Sequence, residues 1–270
     1  MILHDRDLCP KKGAGMPHRE IRAVLFDLGD TLLDFGKVST TKLALKGARS
    51  SYDFIKEQGQ PLGSFAGYFL RYLLRLRVHY FLSEHTGRDF DSLALLEKVG
   101  RKEGITFTRE QWEQVVWKWY EPLSELAKVE RNLPETLTRL KDFGLKLGIV
   151  SNTFVSRDSL EKHLKKLGLL DFFSVRLYSY ELGLRKPDAR IFRIAAEKIG
   201  EAFENIVFVG DRIDKDIRPA LKGGMAAALK NAYTNAGKAT PPGAWRISRI
   251  AELPELIEQA TGKRLQSAPA

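Results

Sequence analysis

A short apolar run, 21–26, stands alone near the front of the chain, and the next run of its kind begins only at Lys146. From there the rhythm is regular. The runs Lys146–Val150, Ser174–Tyr178, Asn205–Val209 and Met225–Leu229 read as buried strands, bounded by turn signals. Between them, Pro134–Phe143, Ser156–Leu167, Ala189–Ile199 and a segment reaching about Lys222 read as helices. A final helix, Ile250–Ala260, follows a Pro-Pro-Gly loop. Strands that alternate with helices of this length predict a parallel sheet covered on both faces. The predicted fold class is therefore α/β, a doubly wound, Rossmann-like sheet.

Residues 36–130 break that rhythm. They show no strand-like alternation and read as several helices, interrupted near Gly59–Gly63, Gly87–Asp91 and Gly100–Gly104. The sheet is thus interrupted after its first strand by a helical block of about 95 residues. Insertions enter loops, and loops at the C-terminal ends of parallel strands surround the usual binding crevice. The block is expected to sit over that crevice as a cap. The expected division is a core of residues 21–35 and 131–264, a cap of 36–130, and tails at 1–20 and 265–270, with the true start at Met1 or Met16.

Composition narrows the function classes. The 270 residues carry a net charge of +10, but the excess is spread thinly and forms no basic block. A nucleic-acid surface is usually a stripe or patch, so a generally cationic surface suited to small anions is expected. A single cysteine, Cys9, excludes an internal disulfide framework and a cysteine-clustered zinc site. The first twenty residues mix charge with Pro and Gly and hold no signal-peptide-like apolar stretch. The most apolar long run, 65–82, contains Arg71, Arg75, Arg77 and His79, which argues for an amphipathic helix over a membrane span. A soluble cytoplasmic protein, binding neither nucleic acid nor membrane, is expected; oligomeric state is not legible.

Four polar clusters fall beside the strands: Asp27-Leu28-Gly29-Asp30-Thr31, Ser151-Asn152-Thr153, Lys186-Pro187-Asp188, and Gly210-Asp211-Arg212-Ile213-Asp214-Lys215-Asp216. On one sheet edge they would place carboxylates from two strands beside one lysine and one hydroxyl. That set suits a divalent cation, which for Mg²⁺ means oxygen ligands, together with a phosphate held by lysine, hydroxyl and backbone N–H groups. Each cluster also has a plain structural explanation. Asp30-Thr31 suits a turn, Ser151-Asn152 a helix cap, and Pro187 a first helical position. Asp214 reads as a solvated charge.

The segments "VLFDLGDTLLD", "LGIVSNT", "LGLRKPDARIF" and "VFVGDRIDKDIRPALKGGM" resemble, in order, the four motifs of the haloacid dehalogenase-like hydrolase superfamily. The helical insert resembles its C1-type cap. The resemblance implies a nucleophile, Asp27, that forms an aspartyl-phosphate which water then hydrolyses. It implies a phosphoryl contact from Ser151, charge compensation by Lys186, and a phosphate cradle of Leu28, Gly29, Ser151, Asn152 and Lys186. It implies Mg²⁺ held by Asp27, Asp211 and the carbonyl of Gly29, supported by Asp216. The substrate class implied is a small phosphorylated metabolite.

One position departs from the pattern. Phosphatases of this superfamily usually place an acid/base Asp two residues after the nucleophile; here that residue is Gly29, and Asp30 follows it. Asp30 is a candidate acid/base if Gly29 turns it inward, and a turn residue otherwise. General acid–base help is worth about 10²–10⁴-fold, so good leaving groups are expected to be favoured. Two rivals share the fold. A 2-haloacid dehalogenase would not need the metal acids and usually has an aromatic residue at position 29. A non-enzymatic binding or regulatory protein would not need Asp27, Ser151, Lys186 and Asp211 together. Phe35, Lys37, Arg71 and Arg75 are candidate cap-side contacts outside the assigned site.

Overall fold

The structure, a computed structural model, describes residues 20–262; the expected tails except Glu20, the last two residues of the expected core, and Met1, Cys9 and Met16 lie outside the described residues. Six parallel strands form one sheet: β1 (Ala23–Phe26), β2 (Lys146–Ser151), β3 (Val175–Tyr178), β4 (Ile206–Gly210), β5 (Ala226–Lys230) and β6 (Ala244–Ile247). Their order is β3-β2-β1-β4-β5-β6. The chain winds outward from β1 to β3, returns to place β4 on the other side of β1, and winds outward again. The gap between β1 and β4 is therefore the topological switch point, the usual binding crevice of such sheets.

Side chains alternate across the sheet as strand geometry requires. Val24 and Phe26 belong to the apolar cluster on one face, and Ala23 and Leu25 to that on the other. Helices cover both faces. α5 (Leu133–Asp142), α6 (Arg157–Lys166) and α10 (Leu253–Thr261) supply buried residues to the first face. α8 (Ala189–Ile199) and α9 (Arg218–Gly223) supply the second, and α7 (Ser179–Leu182) is a single turn after β3.

The sixth strand was not anticipated from the sequence. Its four residues, Ala-Trp-Arg-Ile, follow the Pro-Pro-Gly loop and pair only with β5. At the sheet edge it needs only two buried side chains, Trp245 and Ile247, so it lacks the continuous apolar run that marks its neighbours.

Between β1 and β2 lie α1 (Thr40–Glu57), α2 (Phe65–Thr86), α3 (Ser92–Lys102) and α4 (Arg109–Ser124), broken where the glycines predicted. They enclose an aromatic-rich core of their own: Tyr52, Tyr68, Tyr72, Phe107 and Trp112, with Ile55 and Leu96. The Tyr68 hydroxyl lies 2.8 Å from Ser51 Oγ and accepts from Trp119 Nε1 at 3.2 Å, which satisfies a buried polar tip. The C-terminal half of α4 turns toward the sheet domain. Trp117 and Tyr120 join its apolar cluster, and Tyr120 Oη meets His163 Nδ1 of α6 at 2.9 Å.

α2 departs from the amphipathic expectation. Tyr68 and Tyr72 are buried and Phe69, Leu73 and Leu76 half-buried, yet Leu70, Leu74, Val78 and Phe81 remain exposed. Arg71 pairs with Glu103 at 2.6 Å.

Candidate active site

Register sets the site. Phe26 lies level with Ile149 of β2 and Val209 of β4. The next residues, Asp27, Ser151 and Asp211, therefore emerge within about one residue of a common level across three adjacent strands. The Asp27 N–H donates to the Val209 carbonyl at 2.8 Å, extending the ladder up to the acid itself.

The chain then turns tightly. Leu32 and Leu33 N–H groups both donate to the Leu28 carbonyl, and Asp30 N–H donates to the Leu33 carbonyl at 2.7 Å. Asp30 is the only non-glycine described residue with positive φ, at 57°, a conformation that Asp tolerates better than most residues. Its Oδ1 accepts the Phe35 N–H at 3.2 Å. Burial raises its carboxyl above the usual range, opposed by the Phe35 N–H and the Tyr233 hydroxyl.

Lys186 is held by its backbone. Asn152 Oδ1 accepts the Lys186 N–H at 2.7 Å, and Asn152 Nδ2 donates to the Lys186 carbonyl at 2.8 Å. So anchored, Lys186 Nζ reaches Asp27 Oδ1 at 2.6 Å and Asp216 Oδ1 at 2.8 Å. The Asn152 side chain, expected at the phosphate, is thereby committed to the Lys186 backbone. Neither Ser151 nor Asn152 caps a helix; Ser156 caps α6 instead. Pro187 does not take the first helical position of α8, which begins at Ala189 and is capped by Asp188.

Asp211 is fixed from three sides. Thr31 Oγ1 donates to its Oδ1 at 3.5 Å, Thr234 Oγ1 donates to its Oδ2, and Asn235 Nδ2 donates to its carbonyl at 2.8 Å. Asp216 sits in a turn of residues 213–217, and its Oδ2 accepts the Arg212 N–H at 2.9 Å. Gly210 is required there, because a Cβ would lie 2.5 Å from the Asp216 carboxylate. Asp214 is a solvent-facing partner of Arg212, as expected.

Asp27, Asp211 and Asp216 are all buried, and each offers an oxygen within 4.8 Å of the others. Three carboxylates around one lysine leave excess negative charge in a desolvated place. Burial pushes Asp27 up to about 6, opposed by Lys186 and reinforced by Asp216. Burial, with Asp27 and Asp216, pushes Asp211 up to about 7. For Lys186, burial disfavours the ammonium, but Asp216 and Asp27 overcome it and hold its pKa above the ordinary value. An all-oxygen donor set carrying uncompensated charge fits a hard dication.

Residues from the helical insert between β1 and β2 line the other side of a cavity of about 330 Å³. Phe35, Tyr80, Glu84, Asp89 and Tyr120 face the core residues across it. Glu84, on the last turns of α2, pairs with Arg185 at 2.7 Å and Lys215 at 2.9 Å. Asp89 pairs with Arg185 at 3.3 Å and accepts from Ser179 Oγ. Phe154 stacks on Phe90 with centroids 5.0 Å apart. Of the candidate cap-side contacts, Phe35 lines the cavity, whereas Lys37, Arg71 and Arg75 do not.

The structure thus brings Asp27, Leu28, Gly29, Asp30, Ser151, Asn152, Lys186, Asp211 and Asp216 to one cavity. Sequence reasoning passed over Arg185, Lys215, Thr234, Asn235, Glu84 and Asp89. The first two adjoin residues already singled out. Thr234 and Asn235 follow β5, where the strand-end rule used for the other clusters would have found them. Glu84 and Asp89 carry no local signal, because helical surfaces are full of charges.

The profile for haloacid dehalogenase-like hydrolases matches residues 21–224. The chain belongs to that hydrolase family. It is 33% identical over 205 residues to a protein named glyceraldehyde 3-phosphate phosphatase from Methanopyrus kandleri, covering 76% of this chain and 82% of that one. It is 30% identical over 216 residues to a protein of the same name from Methanothermobacter thermautotrophicus, covering 78% and 86%. The solved 2-haloacid dehalogenase of Pseudomonas syringae pv. Tomato DC3000 superposes with a TM-score of 0.59 at 24% identity, covering 88% of this chain and 99% of that one. That last likeness is one of fold alone. Among the described residues, no helix is long and apolar enough to cross a membrane.

Proposed function

We propose that this hydrolase is a Mg²⁺-dependent phosphatase acting on a small phosphorylated metabolite through an aspartyl-phosphate at Asp27. The observation that carries the reading is Asp27 itself. It is a buried carboxylate at the switch point, 2.6 Å from a buried lysine and clustered with two further acids. A dehalogenase would have little use for Asp211 and Asp216 so placed.

In this reading Asp27 attacks phosphorus, the bond to the leaving oxygen breaks, and water then displaces Asp27 from the phosphoryl group. Lys186 offsets the charge on Asp27 and on the phosphoryl oxygens, and Asn152 keeps its backbone in place. Ser151 and the backbone N–H groups of Leu28 and Gly29 supply donors to those oxygens. Asp27, Asp211 and the Gly29 carbonyl would hold Mg²⁺, with Asp216 supporting through Lys186 and the Arg212 N–H. When bound, Mg²⁺ supplies positive charge that balances the acids and the phosphate. The lined cavity suits a small substrate, and the diffuse positive surface favours anions without selecting among them. Glyceraldehyde 3-phosphate, named for two relatives, is an alkyl ester and enters the panel as the compound against which better leaving groups are compared.

The test is a panel of phosphorylated metabolites with Mg²⁺, with and without chelator, on wild type and Asp27→Asn. Phosphate release should require the metal and fall by roughly 10³-fold or more in the variant. Metal-independent release of halide from 2-haloacids would instead establish the dehalogenase. No turnover, together with failure of beryllium fluoride to bind at Asp27, would establish a binding or regulatory role.

A further inference from the structure

The geometry points to an enzyme without a carboxylic general acid for the leaving group, and hence to substrates whose leaving group departs unaided: acyl, anomeric, enol or aryl phosphates over plain alkyl esters. This inference rests on the phosphatase reading and deepens it to a substrate class.

Every carboxylate that lines the core side of the cavity has another task. Asp27 is the nucleophile and pairs with Lys186. Asp211 is held by Thr31 and Thr234 and belongs to the metal-suited cluster. Asp216 is fixed by Lys186 and the Arg212 N–H. On the cap side, Glu84 and Asp89 are both paired with Arg185. Asp30 remains, and the turn holds it. At φ 57° its backbone closes onto Leu33, and its carboxylate accepts the Phe35 N–H, the group that keeps the loop closed. A carboxylate accepting a backbone N–H is a loop anchor. The Tyr233 hydroxyl donates to the same carboxylate, so both of its bonds use Asp30 as an acceptor and neither leaves it as a proton donor.

Gly29 offers nothing in its place. Its φ is not in the left-handed region, so the backbone does not require glycine there. A Cβ built on it meets only Phe35 Cε2, at 3.8 Å, an ordinary contact. The site therefore has room for a side chain at position 29 and carries none. In the first step the Asp27–phosphorus bond forms and the electron pair of the breaking P–O bond goes to the leaving oxygen, which departs as an anion and takes its proton from solvent. Such a step slows steeply as the leaving group becomes more basic. In the second step, water adds to phosphorus, Asp27 leaves as carboxylate, and the surplus proton goes to solvent.

The experiment measures kcat/KM with Mg²⁺ for aryl phosphates of graded leaving-group pKa, for acetyl phosphate, and for an alkyl phosphate such as glycerol 3-phosphate. The wild type should show a steep loss with leaving-group basicity. Gly29→Asp should raise alkyl relative to aryl turnover by about 10²-fold or more, within the range of general acid help, and flatten the slope. Gly29→Asn, of the same shape but without an acidic proton, should leave the slope steep. Asp30→Asn, which keeps an acceptor for Phe35 and tolerates the turn, should also leave the slope unchanged. A flat wild-type slope, or a slope steepened by Asp30→Asn, would overturn the inference while leaving the phosphatase reading intact. Absence of turnover for every phosphate, acetyl phosphate included, would overturn the phosphatase reading and this inference with it.

Discussion

Lys186 and Glu84 stand on opposite sides of the same cavity, and each joins two partners of opposite charge. Lys186 links Asp27 and Asp216 within the core, and its side chain is 2% exposed. Glu84 links Arg185 and Lys215 across the boundary between cap and core, and its side chain is 32% exposed. Burial separates their physics. In the core, the charges have lost their water and depend on one another, so removing one leaves others uncompensated. On the other side, Arg185 is buried but Glu84 is a third exposed, so water reaches these pairs from the Glu84 side and each is worth less than a pair in the core. One network lies within the sheet domain; the other joins α2 to the segments carrying Arg185 and Lys215.

Lys186→Met gives the sharpest test of that contrast. It strands Asp27 beside Asp216 and should destabilise the fold by about 3–5 kcal/mol, read by urea unfolding, along with loss of turnover. If stability changed by less than about 1 kcal/mol, the network would be more hydrated than its burial implies. A second test adds charge instead of removing it. Mg²⁺ at a hundred times its dissociation constant should stabilise the wild type by about 2.7 kcal/mol, seen as a rise in Tm that Asp211→Asn abolishes.

A smaller effect is expected where α4 of the cap meets α6 of the core. Burial, with help from Lys166, pushes His163 down to about 4, below its ordinary value of 6.5, while its Nδ1 meets Tyr120 Oη. Because the folded pKa is the lower one, this group's contribution is complete above about pH 6.5 and is lost as pH falls toward 4. The loss should be on the order of 2 kcal/mol. Comparing His163→Gln with wild type across that window isolates it, since the raised pKa values of Asp27 and Asp211 act in the opposite direction in both proteins. An unchanged difference between the two proteins would mean that His163 charges freely in the fold.

Glu84→Gln should matter least for stability, by about 0.5–1 kcal/mol, and less at high salt. Its larger signature should be kinetic: a several-fold change in KM with kcat nearly unchanged. A drop in kcat equal to that of a core variant would place Glu84 with the chemistry and dissolve the contrast.

Different parts of the molecule were legible to different degrees. The strands carrying Asp27, Ser151 and Asp211 read clearly, because a strand buried on both faces must be a continuous apolar run. β6 did not, because an edge strand with two buried side chains has too little pattern to distinguish it from a loop. The helices of the cap were visible from their breaks, but the exposure of Leu70, Leu74, Val78 and Phe81 on α2 was not, since periodicity cannot say which apolar face finds a partner. Asn152 was expected at the phosphate, and its side chain instead clamps the Lys186 backbone. That pairing joins residues 34 apart and leaves no mark on either segment.

What the sequence determined by itself was the sheet, the insertion after its first strand, and the identity of the polar groups at the strand ends, because those follow from hydrophobic period and chain order. The missing side chain at position 29 was equally plain from the chain alone. Only the tertiary structure decided where each acid is placed and what it contacts. Asp30 and Asp27 are neighbours in the chain, yet one is turned back to close a loop while the other faces a lysine 159 positions away. The left-handed backbone at Asp30, the register of β1 with β4 and the burial that raises Asp27 are properties of packing, and no local pattern of residues carries them.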